Sequence, residues 1–533
     1  MRPSLAALAA LALLAAGCAA PPAPGPGPGS APPASADVPV GCDAARPAVA
    51  HGPNASASPR MPAALPVPCA FYPGGTGGEP TLGVCPQDGA VYYYPAALSV
   101  PIAAGGGIGG GYVARSLDNG ATWDHVAPMA GPFSQHANTL DPYFYLDPAT
   151  CRIFAEDLQT ADCAQLSFSD DRGATWVSVV EGCTEFDHQT IFAGKPVSSP
   201  TLNYPTIVYR CAINTVALAG LSTSSTCLKS LDGGLTFVNT GAPAFVTPTE
   251  GLPDYCDGAL GHGIVDPQGR VLLPKGWCGQ PWLAISEDEG QTWTRTQIAA
   301  NGMNREADGY PGHEAGVAVD SAGNVFYFWV AEDRLPYLAL SRDGGATWGA
   351  PLMVGLPGLR EASLPELTAG GEGKVAFVYM GSTNSPGPPF PPAVCDPPPL
   401  GCTVNDAPPT EAYENVTWNA YVGMSLDALA DAPTFLTAAV NDPADPLVRG
   451  PCGAVRCQEV FDFLDVRLGP DGTPWAALVD ACMGDCASGA ERSDNAGEAL
   501  VGHLVGGPSL LDPPSTAGPE TASSSAANQG RRS

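Results

Sequence analysis

The chain is poor in basic residues. Its 533 residues include 23 Lys and Arg against 53 Asp and Glu, which gives a formal net charge of -30. No run of bases is available to neutralise phosphates, so the composition excludes a nucleic-acid-binding protein and disfavours anionic membrane surfaces. Only 14% of the residues are charged, so the acidity reflects a shortage of bases more than an excess of acids. Hydrophobic residues reach 44%, which excludes a wholly disordered chain.

The N-terminal apolar run, Leu5 to Ala16, is too short to span a bilayer as a permanent helix. Because it follows Met1 and Arg2, it predicts a signal peptide over residues 1–17. The sequence LAAGC at residues 14–18 resembles the lipobox of bacterial lipoproteins, in which the cysteine, here Cys18, takes the lipid. Ordinary secretion with a chance cysteine is the alternative. The resemblance implies a bacterial cell-envelope protein that is lipid-anchored and faces the periplasm or the exterior.

Segments of low complexity flank the rest of the chain. Residues 18–66 are rich in Pro, Gly and Ala and predict an extended tether, because such a composition cannot bury a core. Residues 513–533 predict a disordered tail for the same reason. A single folded domain is therefore expected over residues 67–512.

The cysteines favour disulfides over a zinc site. Without Cys18, 16 of the 17 cysteines remain, an even number that an oxidising compartment could pair completely. Antiparallel partners lie symmetrically about their turn, and three pairs do so: Cys163 with Cys183, Cys211 with Cys227, and Cys256 with Cys278. Closeness in sequence suggests Cys452 with Cys457, Cys482 with Cys486 and Cys395 with Cys402, and leaves Cys42, Cys69, Cys85 and Cys151 unassigned.

The strongest signal is an internal repeat of the form S-x-D-x-G-x-T-W. It occurs five times, with Phe in place of Trp in the third copy, and a degenerate sixth copy begins at Ser425. A short Asp side chain can accept hydrogen bonds from its own turn, the Gly supplies a positive φ, and the aromatic residue packs inward. The motif aspartates recur 53 to 61 residues apart, the length of a four-stranded unit: Asp118, Asp171, Asp232, Asp288 and Asp343.

This motif is the Asp-box, or BNR repeat, and its recurrence over residues 80 to 435 resembles the sialidase-like β-propellers. The resemblance implies an all-β fold in which each box joins the third and fourth strands of a blade, away from the ligand face. Strand patterns predict seven blades, with a six-bladed sialidase-like propeller as the alternative. Residues 67–73 are expected to complete the last blade. The predicted blades lie near residues 80–130, 138–185, 187–247, 256–300, 310–357, 360–440 and 458–510.

Candidate site residues stand where the first strand of each blade begins, because these positions converge on the propeller axis. Carboxylates and imidazoles placed there could bind a ligand, form an acid/base pair, or hold a divalent cation through His188, His262 and His313. The alternative is a structural role, with hydrogen bonds across the channel and to trapped water. The predicted ligand-binding residues are Asp141, Asp187, His188, His262, His313, Glu314, Glu366 and Asp465, with Asp462 as an alternative to the last.

The sialidase resemblance also implies three arginines that hold a substrate carboxylate, and these are not evident. The nearest approximation to the Arg-Ile-Pro motif is Arg60-Met61-Pro62, and no arginine is expected at the inner-strand positions. Catalytic residues therefore stay unassigned. The leading hypothesis is an envelope lipoprotein, monomeric and touching the membrane only through its anchor, whose propeller binds a glycan or another extracellular ligand at its axial face. The alternatives are an exo-sialidase-like glycoside hydrolase that uses axial carboxylates and a non-catalytic scaffold; no cofactor is certain.

Overall fold

The computed structural model describes most of the residues between 40 and 513. The described residues belong to one compact unit by their internal contacts. Within the described part, no helix is long and apolar enough to cross a membrane. The described residues are 40–53, 62, 64–96, 112–127, 141–158, 164–182, 186–214, 224–246, 259–277, 279–304, 314–387, 413–450, 452, 460, 462–482, 486, 488 and 497–513.

Strands make up nearly all of the regular structure, and they form seven antiparallel sheets. Three N-terminal strands come first: β1 (Val49–His51), β2 (Val67–Phe71) and β3 (Thr76–Gly77). The first blade contains β4 (Thr81–Val84), β5 (Val91–Tyr94), β6 (Val113–Ser116) and β7 (Asp124–Val126). The second contains β8 (Asp141–Leu146), β9 (Ile153–Leu158), β10 (Ala164–Ser169) and β11 (Val177–Gly182). The third contains β12 (Phe186–Gly194), β13 (Ile207–Asn214), β14 (Ser224–Ser230), β15 (Val238–Asn239) and β16 (Phe245–Val246). The other four contain β17 (Ile264–Val265), β18 (Val271–Trp277), β19 (Gln280–Ser286) and β20 (Thr294–Gln297); β21 (Gly316–Val319), β22 (Val325–Val330), β23 (Pro336–Ser341) and β24 (Leu352–Met353); β25 (Glu361–Ala369), β26 (Val375–Ser382), β27 (Thr417–Ser425), β28 (Phe435–Ala439) and β29 (Val448–Arg449); and β30 (Asp465–Leu468), β31 (Pro474–Asp480) and β32 (Gly497–Val505).

The seven sheets form a closed ring. The first strands of neighbouring blades contact one another from β4 through β8 and β12 to β17, and again from β21 through β25 and β30 back to β4. The fourth blade contacts the fifth through β18 and β21. Apolar side chains from facing sheets fill the spaces between blades. The protein is thus a seven-bladed β-propeller, which confirms the predicted fold and count.

The N-terminal segment closes the ring. Strand β2 pairs with β32 as the outermost strand of the seventh blade, in register from Val67 opposite Val505 to Phe71 opposite Val501. An edge position tolerates Pro68, because one side of an edge strand needs no ladder hydrogen bonds. The prediction that residues 67–73 complete the last blade is confirmed for 67–71.

Strand β1 corrects the predicted extent of the tether. It pairs with β28 on the sixth blade, and His51 is buried there with a ring nitrogen 2.9 Å from the Thr437 hydroxyl. Residues 49–51 lie inside the segment 18–66 that was expected to be an extended tether. The three-residue strand was missed because Pro- and Ala-rich composition surrounds it, and its pairing depends on the edge of a blade almost 400 residues away.

Disulfides connect elements inside and between blades. Disulfide bonds join Cys42 to Cys69, Cys85 to Cys151, Cys211 to Cys227 and Cys482 to Cys486. The second links the first two blades, and the third crosses from β13 to β14. Cys452 is also disulfide-bonded. The other cysteines lie outside the described residues: Cys18, Cys163, Cys183, Cys256, Cys278, Cys395, Cys402 and Cys457.

The five repeated S-x-D-x-G-x-T-W segments form the same turn each time. In the first, the Ser116 hydroxyl donates to Asp118 at 2.9 Å, and the Thr122 amide and hydroxyl donate to its two carboxylate oxygens at 2.8 and 2.6 Å. The Gly120 amide donates to Ser116, and Gly120 takes a φ of 86° that favours glycine. The other four copies repeat this pattern. The motif aspartates therefore serve their own turns.

These turns define the two faces of the propeller. Each repeated turn joins the third and fourth strands of its blade. In an antiparallel sheet the third strand runs parallel to the first, so the turn lies at the end where the first strand finishes. We call this end the turn face, and the opposite end, where the first strands begin, the cluster face.

Candidate functional site

Five polar side chains from five blades meet on the axis near the cluster face. His188 lies on β12, His262 and Glu314 immediately precede β17 and β21, Glu366 lies on β25, and Asp465 opens β30. We call these residues the axial cluster. None is more than 6% exposed. They converge because the first strands surround the axis. Four of the five residues occupy the first three positions of a first strand or the two positions before it, and Glu366 is the sixth residue of the longer β25.

Histidine and carboxylate alternate within the axial cluster. The His188 Nδ1 is 2.8 Å from Oε1 of Glu314, and the other Glu314 oxygen is 3.5 Å from Nε2 of His262. The His262 Nδ1 is 3.4 Å from Glu366 and 3.9 Å from Asp465. Neither ring nitrogen of His262 makes a hydrogen bond to a described residue. His262 thus contacts three carboxyl groups while its hydrogen-bonding capacity stays unused.

Aromatic rings enclose His262. Tyr143 and Phe463 approach the imidazole edge-on, with ring centroids 5.2 and 5.1 Å away. The Thr190 hydroxyl donates to the Tyr143 hydroxyl at 3.0 Å, which fixes the tyrosine in this position. Apolar walls around a polar group lower the local dielectric and strengthen its electrostatic interactions.

Backbone irregularities occur where two members of the cluster are placed. Strand β12 shifts register between Asp187 and Thr190, and His188 takes a positive φ of 47°. Strand β25 shifts register between Ser363 and Glu366, with Leu364 at a φ of 54°. A β-bulge changes the direction of a side chain, and a positive φ is unfavourable for residues other than glycine. Both strands therefore accept local strain at the axial cluster.

Arg467 is a member of the site that the sequence analysis missed. It follows Asp465 by two residues on β30, so the two side chains share a face of the strand, and its Nη2 is 3.2 Å from Asp465. The Asp465 carboxylate also accepts the Leu82 and Val466 amides at 2.9 and 2.8 Å. No arginine stands at the candidate positions themselves, but Arg467 lies two residues after one of them on the same inner strand. The period-two alternation of β30 was the signal that could have revealed it.

Burial sets the protonation of the axial cluster. It lowers the pKa of His262 well below its usual value, and Arg467 and His188 lower it further. Burial raises the pKa of Glu366 well above its usual value, and the neighbouring Asp465 adds to this effect. The His262 imidazole is thus held neutral, and the protonated form of Glu366 is favoured. A protonated carboxyl beside a neutral imidazole can donate a proton or a hydrogen bond.

The other predicted site residues are only partly described. Asp141 opens β8 and Asp187 lies on β12, but their side chains are outside the described part, as is the whole of His313. Among the described residues, no three His, Cys, Asp or Glu side chains are placed to hold a metal ion. The described side chains form an acid–imidazole network, and the cation hypothesis for His188, His262 and His313 stays a prediction because His313 lies outside the described residues.

The Glu366→Gln variant should gain stability relative to the wild type as pH rises. Because the folded pKa of Glu366 is raised, its stabilising contribution is complete below the ordinary carboxyl range and is lost as pH rises through the folded value. Glutamine can keep the hydrogen bond from the Leu367 amide, 2.9 Å in the wild type, without ionising. Melting temperatures of both proteins from about pH 4 to about pH 9 check this. A constant difference across that range would contradict a raised pKa.

Comparisons with known proteins give only distant likenesses. Family models give no match, and curated proteins give none. Among solved structures, the chain is similar to a mutant of AofleA from Arthrobotrys oligospora (11% identity over 59% of this chain and 83% of that chain, TM-score 0.39). It is also similar to a mutant of NanB sialidase from Streptococcus pneumoniae, with 11% identity over 70% of this chain and 69% of that chain and a TM-score of 0.39. A third similar structure is a GH74 xyloglucanase from Xanthomonas campestris, with 17% identity over 60% of this chain and 50% of that chain and a TM-score of 0.37. Likenesses this distant say nothing about the ligand of this chain.

The fold and the site together define the class of this protein. It is a seven-bladed β-propeller, stapled by disulfides, with a buried polar cluster on its axis. Disulfides of this kind are typical of an oxidising compartment outside the cytoplasm.

Proposed function

We propose that the propeller binds a glycan at its cluster face, with the axial cluster as the polar centre of the site. The observation that carries the proposal is the convergence of His188, His262, Glu314, Glu366 and Asp465 from five blades onto one buried point. Sugar hydroxyls both donate and accept hydrogen bonds. Imidazoles and carboxyl groups offer complementary donors and acceptors.

The energetic cost of the cluster supports a role in binding over a purely structural one. A buried polar atom without a hydrogen bond costs about 1–3 kcal/mol, and both His262 nitrogens are in that state among the described residues. The positive φ at His188 adds strain of about 1–3 kcal/mol. Apolar side chains could fill the same space on the axis without the cost of unpaired polar atoms or backbone strain. Local instability of this kind is typical of functional sites.

A glycoside hydrolase is the second candidate, and one specific observation favours it. Burial holds Glu366 towards its protonated form, and Asp465 lies with it beside the same nitrogen of His262. Two carboxyl groups with separated protonation states are what general acid catalysis of glycoside cleavage requires. In this reading Glu366 is the proton donor.

The experiment is a glycan array with the purified protein, followed by calorimetric titration of the best glycan and assays with fluorogenic glycosides. We expect His262→Asn and Glu314→Gln to weaken binding about tenfold or more, since each removes a charged or buried hydrogen-bonding group. His503→Gln is the matched control, because His503 is equally buried but stacks on Trp475 in the seventh blade. Equal loss in all three variants, or no bound glycan, would refute the proposal. Turnover abolished by Glu366→Gln would favour the hydrolase.

We also propose that the protein is a cell-envelope lipoprotein attached through Cys18. The sequence LAAGC at residues 14–18 and the disulfides of the propeller support export. Metabolic labelling with palmitate in a bacterial host should mark the wild type and not Cys18→Ala, while the variant keeps its melting temperature. Label retained in Cys18→Ala would overturn the assignment.

A further inference from the structure

The propeller contains a second axial feature, a cavity on the turn-face side of the axial cluster. Its volume is about 320 Å3, and all seven first strands or the residues beside them line it. The lining begins one to four residues after each cluster residue along the chain, for example at Leu367 after Glu366 and at Phe192 after His188. We call it the axial cavity. It is distinct from the proposed glycan site, which faces the opposite end of the axis.

Several apolar side chains contribute to the walls of the axial cavity, although the larger part of the surface that faces the cavity is polar. Leu82, Phe192, Val265, Val317 and Leu367 contribute from five different blades. A volume of this size lies at the lower end of the range for small-molecule sites, which is about 300–1,000 Å3. The cavity therefore matches a ligand with one ring or a short chain.

Two charged residues line the axial cavity, and only one of them has capacity for a ligand. The Asp266 carboxylate accepts the Arg270 Nε at 2.6 Å and the backbone amides of Gln268 and Arg270 at 2.9 and 2.8 Å. These contacts compensate its charge. Arg467 contacts Asp465 through one amino group at 3.2 Å, and its side chain is still 25% exposed. Because a guanidinium has five N–H donors, several can reach into the cavity.

We propose that the axial cavity binds a small organic carboxylate, with the carboxylate on Arg467 and the apolar body against the walls. A planar guanidinium matches a carboxylate with two parallel hydrogen bonds, which gives both charge and orientation. Water or an inorganic anion, the alternative occupants, would use the polar part of the walls and leave the apolar side chains without a partner.

Asp465 is the acidic neighbour that pairs with Arg467, and that ion pair engages one amino group of the guanidinium. Burial raises the pKa of Glu366 well above its usual value, so its neutral form is favoured and it adds little negative charge near the guanidinium. The net charge of -30 opposes the approach of any anion from solution. Salt screens this repulsion, so we expect affinity for a carboxylate to rise with moderate ionic strength, opposite to the usual behaviour of an anion site.

Titration of the full protein with benzoate and hexanoate tests the proposal, with benzamide as the uncharged analogue of benzoate. Benzoate should bind about tenfold or more tightly than benzamide, because a hydrogen bond to a charged group contributes about 1.5–3 kcal/mol. Ligand-observed NMR and calorimetry measure both affinities. Equal affinities, or no benzoate binding at millimolar concentration, would overturn the proposal.

Three variants locate the binding. Thr368→Phe fills the axial cavity from β25 and changes no member of the axial cluster, so it should abolish benzoate binding. The double variant Asp465→Asn with Arg467→Met removes the guanidinium without leaving a buried charge, and should reduce benzoate affinity to that of benzamide. Arg467→Lys keeps the charge for Asp465 but loses the planar pair of donors, and should bind benzoate with intermediate affinity. Melting temperatures show which variants are folded. Unchanged benzoate affinity in folded Thr368→Phe and Arg467→Lys would contradict the proposed site, whatever the outcome at the cluster face.

Discussion

Replacing Arg210 with methionine is expected to destabilise the propeller by about 3–5 kcal/mol. Arg210 on β13 is 1% exposed, and its Nε donates to the fully buried Glu156 on β9 at 2.8 Å. The pair joins the second strands of the second and third blades. Removing the guanidinium leaves the Glu156 carboxylate in an apolar interior, where it must lose its charge or remain uncompensated. Urea unfolding at neutral pH measures the loss.

The double variant Glu156→Leu with Arg210→Met is the control. Replacing both partners of a buried ion pair by apolar groups of similar size is often neutral, so we expect the double variant to regain most of the stability. Equal losses in the single and double variants would show that packing of the arginine stem, and not the charge, decides the effect.

The wild type is expected to lose about 4 kcal/mol of its free energy of unfolding between about pH 4 and about pH 7, and Asp157→Asn is expected to remove this loss. Burial raises the pKa of Asp157 to about 7, partly opposed by the hydrogen bond from Tyr94 and supported by the charge of Glu156. The unfolded carboxyl ionises near 3.8. The wild type therefore loses stability as pH rises from about 4 to about 7, and the asparagine variant lacks this loss. Chemical unfolding at several pH values gives the difference between the two curves.

Tyr94→Phe tests the cause assigned to this shift. Without the tyrosine hydroxyl, the hydrogen bond that favours the ionised form disappears and the pKa of Asp157 should rise further. The loss of stability should then continue to higher pH than in the wild type. A Tyr94→Phe curve parallel to that of the wild type would mean that the hydroxyl does not influence Asp157.

The fold could be predicted from the sequence because its determinants are local and repeated. The turns around Asp118 and its four counterparts depend on residues within one octapeptide, and their period fixed the blade length. The residues near the starts of the first strands followed from the blade pattern, so His188, His262 and Glu366 could be selected as axial.

What the sequence could not reveal depends on distant partners. Strand β1 forms because β28 offers an open edge, and no local pattern of three residues indicates that. Arg467 becomes part of the axis through its ion pair with Asp465, and the bulge at His188 depends on tertiary packing around the axis. Two further pairs connect neighbouring blades. Glu156 and Arg210 are 54 residues apart in sequence, and Tyr94 and Asp157 are 63 residues apart. Contacts of this kind have no signature in a single sequence.

The most direct test of the proposed site is NMR of the histidine ring nitrogens during titration with the best glycan from the array. The account predicts that the ring signals of His188 and His262 shift or change tautomer with the saturation profile of binding, because both rings lie in the axial cluster. The signal of His503, buried in the seventh blade, should stay constant. Saturable binding that leaves the signals of His188 and His262 unchanged would contradict the account, since the glycan would then occupy another part of the propeller.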